Sequence, residues 1–219
     1  MSTDNEANKP TERATQLAVS DEPAALPARP RRGSVVFLLA CALIGLVASA
    51  ALVLSEIQTL RLPKSHLACD INPLVGCSTS LLSWQAHLAF GIPNALLGTV
   101  LFAGVSVLFL VWIQVNPARW LLLALEAGLS AGLLLVLFFL YHSLVTFRAL
   151  CPFCLIVWTV TILIWIHLAA QLMRLGWLFG GTRFAHFWVT QRWLLSVIIL
   201  LLIVLVVAVT LSDKLYFLF

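Results

Sequence analysis

Four of the five cysteines in this sequence fall into two close pairs, Cys69 with Cys77 and Cys151 with Cys154. The second pair is written Cys151-Pro152-Phe153-Cys154 and opens an apolar run, Leu155 to Ala170. A proline there suits the first turn of a helix, which does not need its missing N–H. Residues three apart on a helix share a face. A thiol at a helix N-terminus also sits at the positive end of the macrodipole, a setting that supports thiolate chemistry. The pattern is that of a reactive dithiol at the mouth of a long apolar helix. Thiol–disulfide exchange runs through a mixed disulfide, so one pair can reduce or oxidise the other wherever one sulfur reaches. Each pair alone has a plainer reading. Cys69 and Cys77 suit a structural loop disulfide, and Cys151-x-x-Cys154 suits half of a zinc site. Zinc takes four N or S ligands in closed geometry. A metal site gives no reason, however, for placing them beside membrane-length apolar runs. Cys41 lies inside such a run and reads as a buried, inert thiol.

The elements that must position these thiols are membrane helices. The 219 residues are 62% hydrophobic and 10% charged, with mean hydropathy +1.04, whereas soluble domains run near ~45–50% and ~25%. That balance excludes a soluble fold, which would carry far more polar surface. The formal charge of +4 is modest and calls for no nucleic acid. Residues 1–34 hold Pro10, Pro23, Pro27 and Pro30, scattered charges and no aromatic side chain, and read as a disordered cytoplasmic tail. Val35 to Leu54 is long enough to span a bilayer. Its Ala48-Ser49-Ala50 has the look of a signal-peptide cleavage site, but the apolar run continues past it.

Residues 55–92 then form an outer segment carrying Cys69 and Cys77. Leu81, Trp84 and Leu88 recur there at helical spacing, which predicts a short amphipathic helix in the membrane interface, ended by Gly91 and Pro93. The second span runs from Asn94 to Gln114 and the third from Trp120 to His142, joined by a tight turn at Asn116-Pro117. Ser143 to Leu150 is a short outer connection, and Cys151 to Leu172 is the fourth span. A cytoplasmic connection follows, with Arg174, Arg183 and Arg192 among the interfacial aromatics Trp177, Phe184, Phe187 and Trp188. Trp193 to Leu211 is the fifth span. In domain terms this gives a tail over 1–34, a bundle over 35–172, and a connection with the fifth helix over 173–219.

Basic residues orient such a chain, because cytoplasmic loops carry the excess of Lys and Arg. Seven (Arg29, Arg31, Arg32, Arg119, Arg174, Arg183 and Arg192) fall on the inner side, against four (Arg61, Lys64, Arg148 and Lys214) outside. Lys9 and Arg13 lie too far out in the tail to count. The N-terminus is therefore expected in the cytoplasm. All four paired cysteines then lie on the outer side of the cell membrane, where an oxidising compartment favours disulfide chemistry.

With the pairs and spans in place, the sequence resembles the vitamin K epoxide reductase family, and in particular its bacterial members. The matching residues are Cys69-Asp70, Cys77-Ser78 and Ser83-Trp84, then Gly91-Ile92-Pro93-Asn94-Ala95-Leu96-Leu97-Gly98 and Tyr141-His142-Ser143-Leu144. Leu150-Cys151-Pro152-Phe153-Cys154 and Val157-Trp158 complete the match, which covers Val35 to Leu172. The resemblance implies a four-helix bundle around a quinone, menaquinone or a relative, with the dithiol beside it. It implies that Cys154 is the sulfur next to the quinone, that Cys151 exchanges with Cys77, and that Cys69 faces a partner protein. Asn94 and Ser83 match the family's polar positions on the quinone side, where a carbonyl gaining charge on reduction needs a hydrogen-bond donor. One departure stands out. Many members carry tyrosine where this chain has Trp158, and an indole donates a hydrogen bond but cannot act as a phenol. Some bacterial relatives carry a fused thioredoxin-like domain after the fifth span. This chain ends at Phe219, so a separate partner is expected.

Other polar residues have plainer readings. Glu126 is an acid inside the third span, which flags function, with Arg119 as its available partner. His87 suits an interfacial surface histidine or a base near a loop thiol, and His142 an interface residue beside Tyr141. Asp70 disfavours a thiolate at Cys69, which suits a receiving sulfur. The expected activity is that of a membrane thiol:quinone oxidoreductase. It would take two electrons from a secreted or periplasmic thioredoxin-fold dithiol and pass them through the two pairs to a membrane quinone. The rivals are a quinone or quinone-epoxide reductase proper, and a non-enzymatic scaffold with two structural disulfides.

Overall fold

Local apolarity fixes five helices, and their packing makes one of them central. The computed structural model describes residues 32–61, 76, 91–147 and 150–215. The described chain is all-helical: α1 Arg32–Arg61, α2 Asn94–Gln114, α3 Arg119–His142, α4 Pro152–Arg174 and α5 Arg183–Leu215. All five are long and apolar enough to cross a bilayer. Even the shortest, α2 with 21 residues, reaches roughly 30 Å at the rise of an α-helix. This is the architecture of a multi-pass membrane protein. The tail before Arg32, the expected interfacial helix after Cys77, and Cys69, Cys77, Ser83 and His87 lie outside the described residues.

α4 packs against α1, α3 and α5, while α2 packs against α1. The second half of α4 is buried almost continuously from Val160 to Met173, as expected of a helix surrounded on all sides. α5 lies at the rim. Leu194, Val197, Ile198, Leu201, Leu202 and Leu205 are exposed on it, the face a span offers to lipid. Two indoles tie the neighbours to α4. Trp165 Nε1 donates to Ser130 Oγ of α3 at 2.9 Å, and Trp188 Nε1 of α5 donates to the Ile166 carbonyl at 3.3 Å.

α1 and α2 meet through small residues, which let backbones approach closely in a membrane. The space above Gly45 is filled by the Phe102 ring, and Gly98 lies against Ser49. These two contacts fix an antiparallel register. One turn further, Leu52 and Ala95 come together in a small cluster with Cys151.

α4 stops at a glycine. Gly176 has φ +70°, and its N–H bonds to Met173 O while the Trp177 N–H reaches back to Leu172 O at 2.9 Å. This is a Schellman ending, which relies on a left-handed residue after the helix. The reading of residues 183–192 as a connection is corrected: they form the first turns of α5. Thr182 Oγ1 accepts the Ala185 N–H at 3.1 Å, a side-chain cap, and Ala185 is buried. Close to lipid a backbone that bonds internally is favoured over an open loop. The connection after α3 is also more regular than expected, since Ser143–Phe147 continues it as one π-helical turn.

Candidate functional site

The dithiol sits where the sequence reading put it, at the start of α4. Cys151 is the N-cap residue in extended conformation (φ −88°, ψ 121°), followed by Pro152 in the first turn. Its carbonyl accepts the Leu155 N–H at 3.1 Å, closing the first helical turn. Cys154 is one turn in and packs beside Cys151. Cys151 is buried, at 5% exposure. Cys154 is partly buried and packs against two apolar groups at once. One is Leu52 and Cys151, on the α1 and α2 side. The other is Val136, Leu140, Leu144, Leu150 and Trp158, on the α3 side. The sulfur of Cys154 thus lies in a dry, apolar junction between α1, α3 and α4.

Asn94 opens α2, half-buried, and its neighbour Ala95 belongs to the cluster around Cys151. That brings Asn94 to the level of the dithiol. Trp158 lies one turn beyond Cys154 on the same face and is nine-tenths buried against Leu140, Leu144 and Leu150. Its indole N–H has no hydrogen-bond partner among the described residues. One described residue of the outer segment, Gly76, reaches this site. The Gly76 N–H donates to the Leu150 carbonyl at 3.1 Å. Each of those two residues is followed in the sequence by a cysteine, Cys77 and Cys151.

A feature the sequence reading missed adjoins the dithiol. An apolar cavity of about 340 Å3 lies between α1 and α4, lined by Leu43, Ile44, Val47, Ala48, Phe153 and Ile156. Phe153 sits between the two cysteines, so the cavity begins beside them and opens along the lipid-facing side of α1. The spacing of Leu43, Ile44 and Val47 marks one helix face, but nothing local says that α4 covers it. Together these residues fit a quinone: an apolar junction for a ring at Cys154, a polar residue at Asn94, and an apolar groove of the right kind for an isoprenoid tail.

The remaining sequence readings resolve as follows. Cys41 is buried at 4% exposure within the α1–α2–α4 core, consistent with an inert thiol. His142 rests against Tyr141 with ring centroids 5.5 Å apart and bonds Thr146 at 3.1 Å. The expected partnership of Glu126 with Arg119 is not formed. Arg119 donates to the Trp177 carbonyl at 3.4 Å, while Glu126 is 7% exposed and its Oε2 has no hydrogen-bond partner among the described residues. Two helical turns separate the residues by ~10 Å along the axis, and a long basic side chain at a span's end turns toward the interface. Among the described residues no cluster of His, Cys, Asp or Glu is able to hold a metal ion.

No curated protein matches the chain. The family model described as vitamin K epoxide reductase family matches residues 36–169, which takes in α1 to α4, the dithiol, Asn94 and Trp158. The chain therefore belongs to the vitamin K epoxide reductase family.

Proposed function

We propose that this membrane oxidoreductase reoxidises a thioredoxin-fold dithiol protein outside the cytoplasm and delivers the electrons to a membrane quinone. The family carries quinone-linked reductase activity; the direction of flow and the protein substrate are the proposal. The observation that carries it is the Gly76–Leu150 hydrogen bond. It ties the segment of the outer cysteines to the residue before Cys151, and a relay needs such proximity because exchange is a direct attack of one sulfur on another.

The steps balance as two-electron transfers. The partner's thiolate attacks Cys69 of a Cys69–Cys77 disulfide, and the second partner thiol resolves the mixed disulfide. The partner leaves oxidised, with Cys69 and Cys77 reduced. Cys77 then attacks Cys151 of a Cys151–Cys154 disulfide, and Cys69 resolves that bond, which leaves Cys151 and Cys154 as thiols. Those two thiols give up two electrons and two protons to the quinone, which becomes a quinol as their disulfide re-forms. Cys154, in the apolar junction, is the sulfur facing the ring. Asn94 donates a hydrogen bond to the carbonyl that gains charge, and Ser83 is the second candidate donor. Trp158 shapes the far wall of the pocket as an apolar surface.

The test is a trap. A secreted thioredoxin-fold partner whose second cysteine is changed to serine cannot resolve the mixed disulfide, so it accumulates on Cys69 of the wild-type protein, seen on non-reducing gels and identified by mass spectrometry; the unaltered partner completes the exchange. Purified wild-type protein given that reduced partner and a quinone should show all four thiols changing state in alkylation time courses. If no cysteine changes state, the two pairs are structural and the scaffold reading stands instead.

A further inference from the structure

At the end of the bundle opposite the dithiol, α1, α4 and α5 enclose a second cavity of about 430 Å3, within the range of small-ligand sites. It lies ~22 Å along α4 from the cysteines, counting from Pro152 to His167. Its chemistry differs from that of the apolar groove. Arg32 stands at the start of α1 and Arg192 on α5, and both line the cavity, as does Ser34. No carboxylate is among its lining residues. Arg32, Gly33 and Ser34 are the first described residues of α1.

The floor is a buried polar ring. His167 is 1% exposed and is held between Phe37, at a centroid distance of 4.8 Å, and Trp193, at 4.4 Å. Its Nε2 lies 3.5 Å from Ser196 Oγ. The Phe37–His167 contact and the Leu52–Cys151 cluster set α1 and α4 antiparallel. That register puts Gln171, one turn past His167, level with Gly33, behind the residues that line the cavity. Gln171 is 1% exposed, and neither amide atom has a partner among the described residues.

Guanidinium groups match phosphate oxygens in shape and charge. Basic pockets between membrane helices at headgroup depth are where acidic lipids bind. The depth fits, because Trp188 and Trp193 mark an aromatic belt at this end of α5. Beyond the belt, Val197 and Leu201 of α5 are exposed and continue as an apolar track from the cavity toward the bilayer centre. A free phosphate has no use for such a track; a lipid has. We propose that this cavity binds the phosphate headgroup of an anionic membrane phospholipid, with the acyl chains laid along α5.

The full-length protein, delipidated in detergent and titrated with phosphatidylglycerol or phosphatidylcholine under native mass spectrometry, tests this. One phosphatidylglycerol should bind in clear preference to phosphatidylcholine. Arg32→Gln and Arg192→Gln should each weaken it about fivefold, the factor expected of one basic contact near a lipid surface. Arg192→Lys should hold affinity within about twofold of wild type, since Lys keeps a phosphate-binding charge. Arg183→Gln, at an exposed position outside the cavity, should change nothing. Arg32 is exposed at a helix end, so its variant keeps the fold and carries the test even if Arg192→Gln does not. Unchanged lipid preference in Arg32→Gln would overturn the proposal. So would equal binding of phosphatidylcholine, or displacement of the lipid by an equal concentration of glycerol 3-phosphate, which would make this a soluble-anion site.

Discussion

Cys154 divides the proposed electron path into a protein half and a membrane half. It packs beside Cys151 on one side and into the Trp158 cluster on the other. Cys154→Ala should therefore stop quinone reduction while leaving exchange with the outer pair possible. In that variant the Cys151 thiolate can attack Cys77 of the Cys69–Cys77 disulfide and displace Cys69, so Cys151 should appear in an internal mixed disulfide with Cys77, read as a linked fragment after proteolysis under non-reducing conditions. Recovery of Cys151 as a free thiol in that variant would remove Cys77 as its partner. Glu126 is a buried acid inside α3. Its buried Oε2, without a hydrogen bond among the described residues, is costly to hold there.

At the scale of elements, two helix contacts make opposite demands on small residues. A Cβ on Gly45 would run into the buried Phe102 ring, whereas one on Gly98 would meet only the Ser49 hydroxyl at 3.1 Å. Gly45→Ala should destabilise the α1–α2 pair by about 1–3 kcal/mol, the usual cost of overpacking. Gly98→Ala should cost less than half of that, because a hydroxyl can rotate away. Thermal unfolding in detergent distinguishes them. The groove between α1 and α4 makes its own prediction. Val47 lines it and is 70% exposed to lipid, so Val47→Trp can fill it without touching the core. Displacing two methylenes of an isoprenoid tail, at about 0.8 kcal/mol each, should raise KM roughly tenfold for a long-tailed quinone. A tail-less quinone should be affected within about twofold. Equal effects on both would mean that the groove does not take the tail.

For the whole molecule, the arginine asymmetry leads us to propose that the dithiol end faces outward. Cysteines introduced in a background lacking the four paired ones report it: Ile92→Cys at the dithiol end and Asn116→Cys at the other, both at exposed positions. In intact cells a membrane-impermeant thiol reagent should label position 92 and leave 116 unlabelled until the membrane is opened. The reverse result would put the redox site inside and end the proposal of an extracytoplasmic partner. In the orientation expected, the molecule has two separated ends. Thiol chemistry sits outside, and the basic cavity of Arg32 and Arg192 sits in the inner leaflet, where acidic lipids concentrate.

The sequence alone determined that five helices are long and apolar enough to span a membrane and that Cys151 opens the fourth. It also grouped Cys154, Asn94 and Trp158 in one family pattern. Those are local properties: apolar length, a proline in a first turn, and short spacings all act within a few residues. The sequence reading missed the start of α5, where charges and aromatics in 183–192 resemble a loop although Thr182 caps a helix. Only the tertiary structure decided that α4 is the central helix, that Gly45 meets Phe102, and that Glu126 lies apart from Arg119. It alone brought Val47 to Phe153, and Arg32 to Arg192 across most of the chain. The reason is physical. Once every span is apolar enough for lipid, hydrophobicity no longer selects among partners. Close fit of side chains from distant segments selects them, and that fit exists only between surfaces, not along the chain.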